Sequence, residues 1–327
     1  MVYVLATLFI LGFNFLSGFN DGGNLLAILA NTRTIRPLVA ILIIIASLCL
    51  GPLLFGTAVA KTIGTQIVNL PRAGILIVNI ALLATLLTLG IAWYVKIPTS
   101  TTFALVGGLI GSSIIAAGTS SILWGGFIKV FASLFLSVSC GSIVGYGLYF
   151  FLIQLLRRFS YKTGIRILTI QYISAFLMTL GYSINDAEKS IGLLAIVWML
   201  AKQEQHFHVF PWMILLSSAA FAAGLFSGGF RIAKTVGFHV FHSRPAHAVA
   251  TQIATALVVF AASFFGGPVS TTQTVDSALV GVGYRAAKER IRFQVVRKMA
   301  IVWILTMPIS FVIAASLTWI CKLGGLV

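Results

Sequence analysis

The chain alternates between long apolar stretches and short segments that carry most of its charge. Residues 38–60, 73–95, 123–156 and 248–265 form apolar stretches that reach or approach the roughly 20 residues needed to cross a bilayer as a helix. These stretches do not alternate polar with apolar residues, as the strands of a membrane β-barrel do. Backbone groups in lipid must also be hydrogen-bonded within the protein, which excludes open sheets. The pattern therefore predicts an all-α polytopic membrane protein.

Composition and charge agree with this prediction. Hydrophobic residues make up 59% of the chain and charged residues only 9%, with a mean hydropathy of +1.05. Soluble domains carry about 25% charged residues. The net charge of +16 lies mainly between the apolar stretches, as the positive-inside rule expects, and no nucleic-acid-binding motif accompanies it. The three cysteines are isolated, and the chain contains no P-loop, GxSxG or HExxH sequence, so we expect neither an enzyme nor a cofactor.

The basic loops predict how the chain crosses the membrane. The first apolar stretch has no basic residue before Arg33 and is too long for a signal peptide, so we expect a retained first span. With the basic loops in the cytoplasm, both termini are predicted to lie outside the cytoplasm. The predicted location of the protein is a plasma or inner membrane. The later predicted segments are about 37–60, 73–95, 98–117, 122–156, 167–201, 209–230, 246–265, 268–284 and 298–321.

Two polar phrases occur twice, in the same order. Asn20-Asp21 returns as Asn185-Asp186, and the proline-led segment 98–102 returns as 268–272. Gly111 and Gly281 each follow the proline of their copy by 13 residues. Each half crosses the membrane an odd number of times, so the second copy is inverted relative to the first. Inverted repeats with a site near the midplane are common in secondary transporters. The predicted domains are a first repeat (1–156), a cytoplasmic linker (157–166) and a second, inverted repeat (167–327).

The duplicated segments do not have the pattern of simple spans. Gly18, Gly22 and Gly23 interrupt the first Asn-Asp segment, and Gly181 precedes the second. The Ser-Thr-Thr segments are short, rich in small residues and opened by proline. We therefore predict broken helices for the former and re-entrant hairpins for the latter, because irregular backbone at membrane depth is tolerated only where it lines a protein-buried or wet cavity.

The Pro-x-Ser-Thr-Thr sequence has the features of a helix start. Proline suits the first turn, Ser and Thr are good caps, and the exposed N–H groups of a helix N-terminus bind phosphate-like anions. Two such termini facing each other would hold a tetrahedral oxyanion. The candidate substrate-binding residues are Ser100, Thr101, Thr102, Ser270, Thr271 and Thr272.

Acidic residues are rare and concentrate near the duplicated phrases. The chain has six, and Asp21, Asp186, Glu188 and Asp276 lie in or beside these phrases. Carboxylates within a membrane usually mark ion pathways. Together with Asn20 and Asn185, and with unwound carbonyls near Gly22 or Gly181, Asp21 and Asp186 offer hard oxygen ligands for Na⁺. The alternative for Asp186 is a structural ion pair with Lys189.

The carboxylates predict symport rather than a channel. They repel a phosphate dianion, and helix-terminus effects of about 0.3–2 kcal/mol cannot offset that repulsion alone. A cation must therefore bind together with the anion. Asp21, Asp186 or Glu188 is also a candidate acceptor for the hydroxyl proton of hydrogen phosphate, a proton that sulfate lacks at neutral pH.

These motifs resemble those of the PiT family of inorganic phosphate transporters, which repeats GANDxANA-like and P[VI]STTH-like phrases in two inverted halves. The resemblance spans essentially the whole chain. It implies phosphate on the two Ser-Thr-Thr segments, cations around the two Asn-Asp pairs and Asn24, and a possible homodimer. Three departures stand out: Phe103 and Gln273 replace the usual histidine, Glu188 replaces glutamine, and Asp276 is an additional acid.

The function predicted from the sequence is import of phosphate with a cation, with Na⁺ favoured over H⁺. Two alternatives stay open. One is a carrier of another tetrahedral oxyanion such as sulfate, and the other is a passive anion channel or a phosphate sensor.

Overall fold

Among the described residues, the first half of the chain forms six α-helices. The computed structural model describes residues 1–30, 35–94, 99–157, 163–204, 206–229 and 244–326. The helices of the first half are α1 (Val2–Ala30), α2 (Pro37–Phe55), α3 (Ala58–Thr65), α4 (Leu70–Tyr94), α5 (Thr101–Ala117) and α6 (Trp124–Arg157).

The second half repeats this order with one important difference at its Asn-Asp pair. Helix α7 (Thr163–Tyr182) passes through a π-helical turn (Ser183–Ala187) into α8 (Glu188–Lys202). The remaining helices are α9 (Pro211–Gly224), which ends in a second π-helical turn (Leu225–Gly229), α10 (Pro245–Phe264), α11 (Thr271–Ala287) and α12 (Phe293–Leu323).

The helices confirm the predicted class. Within the described residues, seven helices are long and apolar enough to cross a bilayer: Val2–Leu29, Pro37–Phe55, Gly74–Tyr94, Trp124–Arg157, Pro211–Gly229, Pro245–Phe264 and Phe293–Leu323. Many large apolar side chains on these helices are exposed, as lipid-facing residues must be. The protein is a multi-pass α-helical membrane protein built from two inverted repeats.

Packing between the helices follows the repeat and crosses between the halves. Helix α1 packs against α9, and its counterpart α7 packs against α2. Helix α5 packs against α12, and its counterpart α11 packs against α6. Each half therefore completes its packing with helices of the other. The boundaries 1–156 and 167–327 remain a prediction, and residues 158–162 of the proposed linker lie outside the described residues.

Glycines at these crossings allow the helices to approach closely. A Cβ at Gly18 would lie 2.0 Å from the backbone oxygen of Phe221, and one at Gly224 would lie 1.9 Å from that of Phe15. Small residues at such crossings are typical of membrane helix pairs. Helix α1 runs unbroken through Gly18, Gly22 and Gly23, so the predicted break there was wrong. These glycines serve contact with α9, and no unwound carbonyls arise at Gly22.

The predicted span 37–60 also needs correction. Helix α2 ends at Phe55, because Gly56 takes a backbone φ of 83°, and the short helix α3 follows as a separate element. Helix α3 packs against α8. A glycine in this left-handed region of φ ends a helix without steric cost.

The Ser-Thr-Thr segments, which the sequence predicted to be re-entrant and to begin with a helix start, form short helices. Helices α5 and α11 each contain 17 residues, and most of their residues are buried. At 1.5 Å per residue, such a helix is about 25 Å long, which is less than the hydrocarbon thickness of about 30 Å. Both helices therefore begin inside the protein, and their N-termini lie near the duplicated Asn-Asp pairs.

Candidate substrate and cation site

The N-termini of α5 and α11 meet at the centre of the molecule. Ser100 precedes α5, and its hydroxyl accepts a hydrogen bond from the backbone N–H of Phe103 at 3.3 Å. The same hydroxyl donates to Ser270 Oγ, in front of α11, at 3.0 Å. Thr102 donates to the carbonyl of Val269 at 3.1 Å. The two helix starts, one from each repeat, thus form the facing pair that the sequence predicted.

Asp21 connects the two helix starts. One of its carboxylate oxygens accepts a hydrogen bond from Thr101 at 2.7 Å, and the other accepts one from Thr272 at 2.8 Å. Asp21 is buried in α1, so one carboxylate holds a hydroxyl of each repeat. In this arrangement, both threonine protons point at Asp21 and are not available to a bound anion.

Asp186 lies in a different environment from Asp21. Its carboxylate accepts a hydrogen bond from Thr271 and forms an ion pair with the ammonium of Lys189. The ammonium also donates to Thr102 Oγ1 at 2.6 Å. Lys189 is only 1% exposed, so this is a buried pair. The ion pair that the sequence left as the alternative for Asp186 is therefore present.

The two asparagines of the motif do not have the same contacts. The Asn185 carbonyl oxygen accepts a hydrogen bond from the backbone N–H of Val269 at 3.1 Å, and its amide donates to Ser263 at 3.0 Å. Asn185 thus connects the π-helical turn of the second motif to the loop that leads into α11. Asn20 is half-buried, on the same helix as Asp21. Pro98, which opens the first Ser-Thr-Thr segment, lies outside the described residues.

Glu188 does not lie among the Ser and Thr hydroxyls. Its carboxylate accepts hydrogen bonds from the backbone N–H groups of Val59 at 2.9 Å and Ala60 at 3.1 Å. These groups belong to the first turn of α3, where a carboxylate is stabilised by unpaired N–H groups and by the helix dipole. The geometry therefore supports a capping contact, and the role of Glu188 as a proton or substrate acceptor stays a prediction without a contact to support it.

Comparison with known proteins decides the family. The model of the phosphate transporter family matches residues 17–170 and again 159–314. The chain belongs to this phosphate transporter family. The double match covers most of the chain, and the resemblance to inorganic phosphate transporters is confirmed.

Named relatives and one solved structure agree with this family. The chain is 31% identical to a probable low-affinity inorganic phosphate transporter of Rhizobium meliloti, over 93% of this chain and 91% of the relative. It is also 31% identical to a protein of the same description from Bacillus subtilis, over 95% of each chain. The solved structure of a sodium-dependent phosphate transporter has the same fold, with a TM-score of 0.86 at 22% identity over 98% of this chain and 99% of that one.

In this phosphate transporter, each motif carboxylate belongs to a helical face of three residues that was not predicted. Ser17, Asp21 and Asn24 are spaced i, i+4, i+7 along α1, which places them on one side of the helix. The residues 165 positions later are Tyr182, Asp186 and Lys189, with the same spacing. We refer to these sets as the first-half face and the second-half face. The spacing itself is the signal that could have identified them.

The first-half face carries oxygen atoms that lack partners. Among the described residues, the Ser17 hydroxyl and the Asn24 carbonyl oxygen have no hydrogen-bond partner, although both side chains are buried. The Asn24 amide lies beside the carboxyl of Asp276 in α11. The Oδ2 atom of Asp276 also has no hydrogen-bond partner among the described residues. Hydroxyl, amide and carboxylate oxygens are the ligands that hard cations prefer. The residues on this side of the site therefore fit a cation.

Tyr182 was also missed. Its ring is buried, and its hydroxyl interacts electrostatically with Asp21, Asp186 and Asp276. A tyrosine hydroxyl both donates and accepts hydrogen bonds. Tyr182 therefore places a neutral polar group within the cluster of carboxylates.

Proposed function

We propose that the protein imports inorganic phosphate by symport with a cation, and that the cation is Na⁺ rather than H⁺. The observation that carries this proposal is the carboxylate of Asp21, whose oxygens accept hydrogen bonds from Thr101 and Thr272. These threonines stand at the starts of helices from opposite repeats. Access to both helix starts therefore depends on what binds Asp21.

Hydrogen bonding at Asp21 gives a physical basis for coupling. A hydroxyl that donates to a carboxylate cannot give the same proton to a phosphate oxygen. A cation bound to the carboxylate oxygens weakens their attraction for the hydroxyl protons. Thr101 and Thr272 are then free to turn their protons toward the anion, beside the unpaired N–H groups of α5 and α11.

Electrostatic repulsion also makes binding of the anion depend on a bound cation. Two unit charges 4 Å apart repel each other by about 4 kcal/mol at an effective dielectric constant of about 20. A phosphate placed near Asp21 and Asp186 would meet more than one such repulsion. Helix termini return only about 0.3–2 kcal/mol each. The anion therefore binds well only when a cation offsets the carboxylates.

Two arguments favour Na⁺ as the coupling ion. The unpartnered oxygens of Asn24 and Asp276 give a cation more than one ligand, whereas a proton needs only one acceptor. The solved structure with the same fold is of a sodium-dependent phosphate transporter. Basic segments between the spans further support a plasma or inner membrane location with both termini outside the cytoplasm.

Uptake into proteoliposomes tests the proposal. Labelled phosphate is supplied outside under an imposed Na⁺ gradient, under an imposed proton gradient, or under neither. We expect accumulation above equilibrium with the Na⁺ gradient and little competition from sulfate. Accumulation with the proton gradient alone would overturn the choice of ion. Flux that stops at equilibrium under both gradients would indicate a channel, binding without flux a sensor, and equal competition by sulfate a broader oxyanion carrier.

A further inference from the structure

We propose that the Lys189 ammonium is a tethered counter-ion that fills the cation position of the second half. The coupling ion would then bind only on the first-half face, around Asp21. This inference rests on the proposed function, because it assigns the two motif carboxylates to different cations. The cation at Asp21 would be free and transported, and the cation at Asp186 is the Lys189 ammonium, which is part of the chain.

The repeat defines the position that the ammonium occupies. In the first half, Asp21 accepts a hydrogen bond directly from Thr272 at 2.8 Å. The counterpart of this contact would join Asp186 to Thr102. Instead, Lys189 contacts both groups, with its ammonium 2.6 Å from Thr102 Oγ1 and paired with Asp186. The ammonium therefore stands between a carboxylate and a hydroxyl that contact each other directly in the other half.

The oxygens around Asp186 are already in use. One carboxylate oxygen is paired with Lys189 and the other accepts from Thr271. The side-chain oxygen of Asn185 accepts from the backbone of Val269. On the first-half face, by contrast, the Asn24 oxygen has no partner among the described residues. A free cation would find ligands beside Asp21 but would have to displace the ammonium beside Asp186.

Displacement of the ammonium is unfavourable. The Lys189 side chain is buried, and a buried ammonium that loses its carboxylate is left as an uncompensated charge. A free cation that took over Asp186 would have to offset that cost in addition to its own dehydration. The tethered charge therefore neutralises Asp186 in every transport cycle and is not carried across. The protein would use one free cation fewer per phosphate than a transporter with two open carboxylates.

Substitution of Lys189 by the residue at its counterpart position tests this inference. The counterpart of Lys189 is Asn24, so Lys189→Asn gives the second-half face the Asp and Asn of the first-half face. Lys189→Arg is the matched control, because it keeps the charge. The measurement is radioactive Na⁺ bound per chain at saturation in purified protein with phosphate present, which does not require transport.

We expect Lys189→Asn to bind one more Na⁺ per chain than the native protein, and Lys189→Arg to bind the same number as the native protein. An unchanged number in folded Lys189→Asn protein would overturn the inference. If that variant does not fold, the double variant Asp186→Asn with Lys189→Gln serves instead. It removes both charges and should bind as many Na⁺ as the native protein, and a loss of one Na⁺ would contradict the inference.

Failure of this inference is distinguishable from failure of the proposed function. If the native protein does not accumulate phosphate under a Na⁺ gradient but Lys189→Asn still gains one bound Na⁺, the choice of coupling ion fails and the tethered cation stands. If the native protein accumulates phosphate but Asp186→Asn with Lys189→Gln loses a bound Na⁺, only the tethered cation fails.

Discussion

The two halves of this phosphate transporter present the same helical face with different chemistry. The first-half face carries Ser17, Asp21 and Asn24, and the Ser17 hydroxyl and the Asn24 carbonyl oxygen have no partner among the described residues. At the corresponding positions, the second-half face carries Tyr182, Asp186 and Lys189. Both faces keep the carboxylate and the hydrogen bond that it accepts from the second Ser-Thr-Thr residue of its own half, Thr101 or Thr271. The difference is that Asp186 is paired with the Lys189 ammonium, whereas Asp21 forms no ion pair among the described residues.

This contrast separates the role of the duplicated packing from that of the duplicated site. Glycines at the helix crossings are matched between the repeats, because Gly111 of α5 lies against the backbone of α12 and Gly281 of α11 lies against the backbone of α6. The packing therefore preserves the symmetry that two alternating states of a transporter require. The ion chemistry is not symmetric. We infer that the two repeats contribute equally to the scaffold and unequally to coupling.

Loss of Asp21 should have the largest effect on transport. Asp21→Asn removes the carboxylate on the first-half face. The amide that replaces it has only one oxygen to accept a hydrogen bond from Thr101 or Thr272. A hydrogen bond or ion contact to a charged group contributes about 1.5–3 kcal/mol, so we expect initial phosphate uptake to fall by roughly 10–100-fold. Glu289→Gln, at an exposed acid between α11 and α12, is the control. Uptake within about twofold of native in Asp21→Asn would remove Asp21 from the coupling site.

Loss of Asp186 should affect stability more than Asp21→Asn does. Asp186→Asn leaves the Lys189 ammonium buried without its carboxylate, which costs about 3–5 kcal/mol. Addition of Lys189→Gln removes the stranded charge and should restore most of that stability. Thermal unfolding in detergent of Asp21→Asn, Asp186→Asn and the double variant, each relative to the native protein, measures the effect. Equal destabilisation by Asp21→Asn and Asp186→Asn would contradict the difference between the two faces.

A change at Glu188 should have the smallest effect. Glu188→Gln removes the charge that caps α3, although the amide oxygen can still accept from Val59 and Ala60. We expect the free energy of unfolding to fall by about 0.3–2 kcal/mol, the usual range for a charge at a helix terminus. Thermal unfolding and phosphate uptake are measured together. A loss of uptake as large as that of Asp21→Asn would place Glu188 in the substrate path.

The sequence predicted the features that depend on composition and local spacing. The membrane class, the inverted repeat and the helix starts at Ser100 and Ser270 follow from apolar length, duplication and capping chemistry. The contact of Asp186 with Lys189 is also local, and the sequence predicted it as an alternative role for Asp186. All of these depend on residues within a few turns of one another or on the period of the whole chain.

Features that depend on distant partners could not be predicted. Glycines such as Gly18 can either break a helix or let another helix approach, and only the position of Phe221 on α9 decides between these roles. The N–H groups that bind Glu188 belong to α3, more than a hundred residues earlier in the chain. Likewise, the contacts of Asn185 with Ser263 and Val269 join residues about 80 positions apart, and the role of Asn185 in cation binding stays a prediction.

We expect phosphate and the cation to bind together at the meeting point of α5 and α11. Titration calorimetry on purified protein tests it directly, with phosphate affinity measured with and without Na⁺, and Na⁺ affinity measured with and without phosphate. Linkage requires the same factor in both directions, and we predict a factor of about 5–150. Phosphate affinity that does not change between zero and saturating Na⁺ would contradict the account.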